Sequence, residues 1–227
     1  LKRILEIACF NIESAIIAQA AGADRIELCE DYLSGGLTPS EKLILDSRKK
    51  INIPIHVIIR PRNGIFFYSN SEIEEMKKSI LFCKHNKIEG VVFGVLTREN
   101  EIDKKICKDL IQLAHPMQAT FHRAIDVCKN IDRAFRELIE LKFQRALSSG
   151  GELCALDGLE KLKKLQMDYG NKIIIMPGGA IRSSIITKLI ATNCQEFHSS
   201  AILSKELITN ENEVKKLKYL LNQGINL

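Results

Sequence analysis

Residues 23–40 read Ala23-Asp24-Arg25-Ile26-Glu27-Leu28-Cys29-Glu30-Asp31-Tyr32-Leu33-Ser34-Gly35-Gly36-Leu37-Thr38-Pro39-Ser40. From Arg25 to Cys29 polar and apolar residues alternate, so Ile26 and Leu28 face one way while Arg25, Glu27 and Cys29 face the other. A Gly35-Gly36 loop follows, and Thr38-Pro39-Ser40 opens a helix. A strand with one oily side and one carboxylate-and-thiol side suits the wall of a site better than an ordinary core.

Outward from this stretch the same strand–loop–helix unit recurs eight times. Candidate strands cover 4–9, 25–29, 55–60, 90–96, 118–124, 145–149, 172–177 and 196–200. Helical spacing fills 12–21, 40–50, 71–87, 101–114, 131–141, 155–169, 182–192 and 211–223. Start signals include Ser40 after Pro39, Ser71 before Glu72 and Glu74, and Asn130 before Ile131-Asp132; Gly22, Gly90 and Gly170 stand where helices stop or give way to strands. Strictly alternating strands and helices imply parallel strands with right-handed crossovers. Eight such units in 227 residues is the arithmetic of an α/β protein folded as a single-domain (β/α)8 TIM barrel over residues 1–227. A doubly wound open sheet competes, but Cys9-Phe10-Asn11-Ile12 after the first strand lacks its glycine-rich turn.

Composition narrows the function classes. Apolar content of 45% and charged content of 27% suit a globular protein with a sizeable core. The apolar runs are only a few residues long and no signal peptide is visible, so a membrane partner is not expected. The net charge of +5 comes largely from helix-face lysines such as Lys49-Lys50, Lys77-Lys78 and Lys163-Lys164. They lack interleaved aromatics, which speaks against nucleic acid. Seven cysteines with no Cys-x-x-Cys pair point to reduced thiols and a cytoplasmic location, with Cys83, Cys107, Cys154 and Cys194 expected as small core residues.

Parity then sorts each strand. Leu5, Ile7, Ile26, Leu28, Ile55, Val57, Ile59, Ile173 and Ile175 form the face expected to pack against helices. The opposite parity carries Glu6, Ala8, Glu27, Cys29, His56, Arg60, Thr120, His122, Ser148, His198 and Ser200, predicting a polar barrel interior. Three constellations follow. Glu6, Glu27, His56, His122 and His198 are candidates for carboxylate–imidazole proton transfer, with Arg60 beside them, although the same set could form a buried polar network. Arg60 and Arg62, two apart on an extended segment, are expected on one side and suit an anion; Gly178, Gly179, Ser199 and Ser200 end strands seven and eight, where barrels bind phosphate, unless the glycines simply turn the chain. Cys29 is a candidate soft ligand of the kind copper(I) prefers.

The chain also resembles the CutC family of copper homeostasis proteins over essentially its whole length. The resemblance rests on Leu5-Glu6-Ile7, Gly22 to Cys29, Gly35-Gly36-Leu37-Thr38-Pro39-Ser40 and Ile59-Arg60-Pro61-Arg62-Asn63-Gly64. Phe67-Tyr68-Ser69, Thr120-Phe121-His122-Arg123-Ala124 with Asp126, Ser148-Ser149-Gly150, Met176-Pro177-Gly178-Gly179 and Glu196-Phe197-His198-Ser199-Ser200 complete it. It implies a (β/α)8 barrel in the cytoplasm, self-association into a homo-oligomer, and copper(I) binding or trafficking, with a mouth like that of an enzyme. The alternative, read from the Glu/His/Arg residues and the strand-seven and strand-eight loops themselves, is an enzyme acting on a small anionic or phosphorylated metabolite. Related chains carry a cysteine two residues after the first-strand glutamate as the partner of Cys29; here that position is Ala8, and Cys9 has the wrong parity. Asn63 stands where a glycine is usual, and the region after Ser200 is short.

Overall fold

The computed structural model describes residues 2–223. Eight strands run in parallel: β1 Ile4–Cys9, β2 Arg25–Leu28, β3 Ile55–Ile58, β4 Gly90–Phe93, β5 Gln118–Phe121, β6 Arg145–Ser148, β7 Ile174–Pro177 and β8 Glu196–Ser199. Helices α1 Ile12–Ala20, α2 Glu41–Lys50, α3 Asn70–His85, α4 Lys104–Ala114, α5 Ile131–Glu140, α6 Leu159–Tyr169, α7 Ile186–Ile190 and α8 Glu211–Gln223 alternate with them. The ladder order β7-β6-β5-β4-β3-β2-β1-β8 wraps the sheet into the expected TIM barrel. It is nearly closed: no ladder joins β7 to β8. Ile174 and Gly178 donate their amides toward β6, so the alternate residues Ile175 and Pro177 face β8, and Pro177 has no N–H to give.

The parity reading holds in the packing. Leu5, Ile7, Ile26, Leu28, Ile55, Val57, Ile59 and Ile175 join one buried apolar layer between strands and helices, and Cys9 lies there too, facing away from the barrel axis. At about 25 cal/mol per Å2 of apolar surface removed from water, each such side chain contributes roughly 1.5–3 kcal/mol. Cys83, Cys107 and Cys194 are buried as expected, whereas Cys154 is half-exposed and its thiol donates to Asp157 at 3.0 Å. It follows a surface loop, where helical spacing misleads.

Element ends differ where local chemistry competes. Helix α3 begins at Asn70 because Ser69, not Ser71, caps it: Ser69 accepts from the Glu72 amide while Glu72 accepts from the Ser69 amide. Ser40 does not cap α2; its amide and hydroxyl both donate to Glu30. Helix α6 starts only at Leu159, because 155–158 turn so that Gly158 packs against the Ser149 carbonyl, too close for any side chain. Strand β5 stops at Phe121, and His122 to Val127 turn into a short 3-10 helix, Arg123–Val127, instead of continuing the strand to 124. No described helix is long and apolar enough to cross a membrane.

Candidate active site

The barrel interior is polar in two storeys. In the lower one, register sets Glu6 opposite Arg25 on one side and His198 on the other. Arg25 Nε lies 2.5 Å from Glu6, and Arg25 also reaches Glu196, which Arg145 binds at 2.9 Å. Arg145 donates onward to Gln118 at 3.0 Å and Thr120 at 3.3 Å. Buried charges persist only when paired in this manner. Burial opposes ionisation of Glu6, but Arg25 first and then His198 and His56 outweigh it, so its carboxyl sits well below the usual range. His56 lies 3.8 Å from Glu6 but makes no hydrogen bond through Nδ1; burial pushes its pKa down to about 3.

Above this layer opens a pocket of about 320 Å3 at the carboxyl ends of the strands. That is the size and place of a small-molecule site in such barrels. Glu27 and Cys29 of the β2 face line it, with Ala8, Ile58 and Phe66 as apolar wall. His198 bridges the storeys: Nδ1 is 2.8 Å from Glu6 Oε1 and Nε2 is 3.7 Å from Glu27 Oε2. Burial pulls the His198 pKa down, yet Glu27 and Glu6 together raise it; burial also raises the Glu27 pKa, against the pull of His198. The Cys29 thiol donates to Glu27 Oε2 at 3.4 Å, and burial next to that carboxylate pushes its pKa well up, keeping it a thiol.

Arg60 is buried in the wall. Its Nη1 donates to the carbonyls of Ser34 (2.7 Å) and Gly36 (3.1 Å), and Nη2 to Gly64 (3.3 Å), while Nε has no acceptor. Arg182 donates to the Ile202 carbonyl at 3.0 Å and lies 3.4 Å from the Ser199 and Ser200 hydroxyls. Among the described residues neither arginine meets a carboxylate within salt-bridge distance. Arg123 also lines the pocket but is paired with Asp126 at 2.9 Å. Gly179, at φ +107°, leaves room for that guanidinium: a Cβ there would sit 3.3 Å from it.

His122 sits at the turn that ends β5. Its Nδ1 accepts from the Ala124 amide at 3.2 Å, so the neutral ring carries its proton on Nε2, which has no partner. Burial, then Arg60, lowers its pKa to about 3. Space for both neutral imidazoles comes from β4 and the residue after it: a Cβ on Gly90 would lie 2.5 Å from His56, and one on Gly94 2.7 Å from His122.

Of the candidates read from the sequence, Glu27, Cys29, Arg60, His122, His198, Gly179, Ser199 and Ser200 therefore share the pocket. Glu6 and His56 lie beneath it. Gly178 stays off the pocket wall, its lack of a side chain needed against Leu147 and His198. Arg62 does not share Arg60's side: the strand ends at Ile58, and Arg62 turns to Glu72 at 2.5 Å, over the Tyr68 ring. Sequence reasoning missed Arg182 and Arg123. Both signals were visible, an arginine closing the Gly178-Gly179 loop and one next to His122.

The copper(I) expectation meets a poor donor set here. Among the described residues no group of three or more His, Cys, Asp or Glu is arranged to hold a metal ion. The Cys29 thiol is turned onto Glu27, and Ala8 on the same pocket wall supplies no second thiol, so the paired soft donors expected for copper(I) are not present.

A parallel eight-stranded barrel with a polar pocket at its carboxyl-terminal mouth defines a (β/α)8 protein with a candidate site at the usual place. Within that class, residues 3–203 match the CutC family, and the chain belongs to it. It is 39% identical to the copper homeostasis protein cutC homolog of Mus musculus over 204 residues, covering 89% of this chain and 75% of that one. For the Homo sapiens homolog the values are 40% over 199 residues, 87% and 73%. The crystal structure of a CutC protein from Streptococcus agalactiae superposes with a TM-score of 0.83 at 27% identity, over 87% of this chain and 98% of the other.

Proposed function

We propose that this member of the copper homeostasis family uses its barrel mouth to bind a small anionic metabolite and to move protons on it. The observation that carries the reading is Arg60: a buried guanidinium of the pocket lining with no carboxylate partner and an Nε–H that finds no acceptor in the protein. A buried charge left alone costs several kcal/mol, so a bound anion is the natural counter-ion. Arg182 with Ser199 and Ser200 supports a second anion contact where strands seven and eight end, the place at which barrels hold phosphate. Glu27 and His198 supply a proton pair at the same mouth, and Glu6 positions His198 from below.

Thermal denaturation with and without inorganic phosphate and short sugar phosphates tests this. Saturating ligand at 100 times its Kd adds about 2.7 kcal/mol, a stabilisation that Arg60→Met and Arg182→Met should each reduce. No stabilisation by any of these anions rejects the reading.

The relatives' names support a second reading, copper(I) binding or trafficking through Cys29, which does line the pocket. Competition with a copper(I) chelator decides it: equal binding by wild type and Cys29→Ser rejects Cys29 as a ligand. A cytoplasmic location is supported by seven cysteines all free of disulfides. Self-association is supported by exposed Leu33, Ile65 and Leu153 on loops around the mouth; light scattering of the purified protein would show a homo-oligomer.

A further inference from the structure

Three buried polar atoms of the mouth have no partner in the protein: Glu27 Oε1, Arg60 Nε and His122 Nε2. All three side chains line the same pocket and are more than nine-tenths buried. Their roles differ in kind. Arg60 Nε can only donate. His122 Nε2 also donates, because the Ala124 amide occupies Nδ1 as acceptor and fixes the tautomer. Glu27 Oε1 is the free oxygen of a carboxylate whose other oxygen is held by the Cys29 thiol. Two fixed donors and one acceptor, with a separate arginine–serine cradle at Arg182, match a ligand that develops negative charge on one oxygen while losing a proton from a neighbouring atom.

We propose that the mouth catalyses proton removal from the carbon next to a carbonyl in a small phosphorylated hydroxy-ketone or hydroxy-aldehyde, with Glu27 Oε1 as base and His122 Nε2–H and Arg60 Nε–H holding the carbonyl oxygen. This rests on the reading of the mouth as an anion site. The C–H bond breaks, its proton passes to Glu27, and its electron pair becomes the carbon–carbon π bond. The carbonyl π pair moves onto oxygen, giving an enediolate between His122 and Arg60. Replacement of that proton on Glu27 from solvent, followed by delivery to the same carbon, completes exchange. Delivery to the neighbouring carbon, with the hydroxyl proton passing between the two oxygens, completes an isomerisation. No oxidant or reductant enters. A neutral imidazole suits this task, since it polarises the oxygen without surrendering its proton beforehand; triosephosphate isomerase uses one in the same role. Arg182, Ser199 and Ser200 keep the phosphate at the far wall.

The experiment incubates the full protein in heavy water with phosphorylated ketoses and aldoses of three to six carbons. Proton NMR follows loss of the C–H signal beside the carbonyl, and thermal denaturation is recorded in parallel. At least one compound should exchange. The rate should fall about 100-fold or more in Glu27→Gln and about 100-fold in His122→Phe. Glu27→Asp and His122→Gln, which restore a carboxylate and an N–H donor, should recover part of it and show that the losses are not misfolding. Stabilisation by inorganic phosphate should persist in all four variants. Compounds that stabilise the protein but never exchange would overturn the enolisation chemistry while leaving the anion site standing. Exchange undiminished in His122→Phe would also overturn it. Absence of both stabilisation and exchange would reject the anion reading itself.

Discussion

Replacing Glu6 by glutamine keeps the side chain's shape and deletes one negative charge from the lower storey of the barrel. Glu6 is fully buried, 2.5 Å from Arg25 Nε and 2.8 Å from His198 Nδ1. Four charges balance there, Arg25 and Arg145 against Glu6 and Glu196. Without Glu6 the two arginines share Glu196 alone. Removing one partner of a buried pair costs about 3–5 kcal/mol. A chain of 227 residues loses about 2–4 °C of Tm per kcal/mol, so Glu6→Gln should melt roughly 6–20 °C lower. The double variant Glu6→Gln/Arg25→Met removes both charges and leaves the Arg145–Glu196 pair at 2.9 Å intact. It should recover part of the loss, with a coupling of about 1–3 kcal/mol. Calorimetry or urea unfolding of the four species gives the cycle. The pH dependence supplies an independent check. The folded Glu6 pKa is depressed, so its contribution is present above the unfolded carboxylate value of about 4.3 and fades as pH falls toward the folded one. Glu6→Gln should remove that part of the acid sensitivity. A Tm change under about 3 °C, or strictly additive single variants, would refute the account of this network.

Gly94→Ala places a Cβ within 2.7 Å of the His122 ring. Overpacking of about 1–3 kcal/mol is expected, with a shift in the imidazole nitrogen resonances; unchanged stability and spectra would show that the glycine is not needed for the ring. His56 and His122 stay neutral in the folded state down to about pH 3, so below the unfolded value of about 6.5 the unfolded chain binds more protons and stability falls as pH drops. His122→Gln should shallow that acid limb in urea titrations, and an identical slope would refute its cause. His198 has a raised folded pKa, so its share is fully present below about 6.5 and is lost as pH climbs through the folded value; His198→Asn should flatten the neutral-to-alkaline decline, and an unaltered decline would exclude His198. Ala8→Cys adds a second thiol to the pocket wall that holds Cys29 and should tighten copper(I) binding by about tenfold or more, a gain of about 1.4 kcal/mol, that Cys29→Ser cancels; unchanged affinity in chelator competition would refute the pairing.

Much of this protein was legible in its sequence because the deciding information is local. A period of two along Arg25 to Cys29 assigns each side chain to the helix face or the axis, and Ile26 and Leu28 join the outer core as that period requires. Repetition of the unit specifies parallel strands, and right-handed crossovers leave a barrel as the economical closure. Parity also placed Glu6, Glu27, His56 and His198 inside. Depth along the axis was not legible. It depends on the stagger between strands far apart in sequence, which puts Glu6 beside Arg25 and His198 in the lower storey while Glu27 opens to the pocket. Loop paths were equally hidden: Arg62 leaves the mouth for Glu72, Arg182 enters it beside Ser200, and His122 gains its fixed tautomer from a turn where a strand was expected. Those outcomes come from which distant groups satisfy each side chain, and only the folded barrel brings them together.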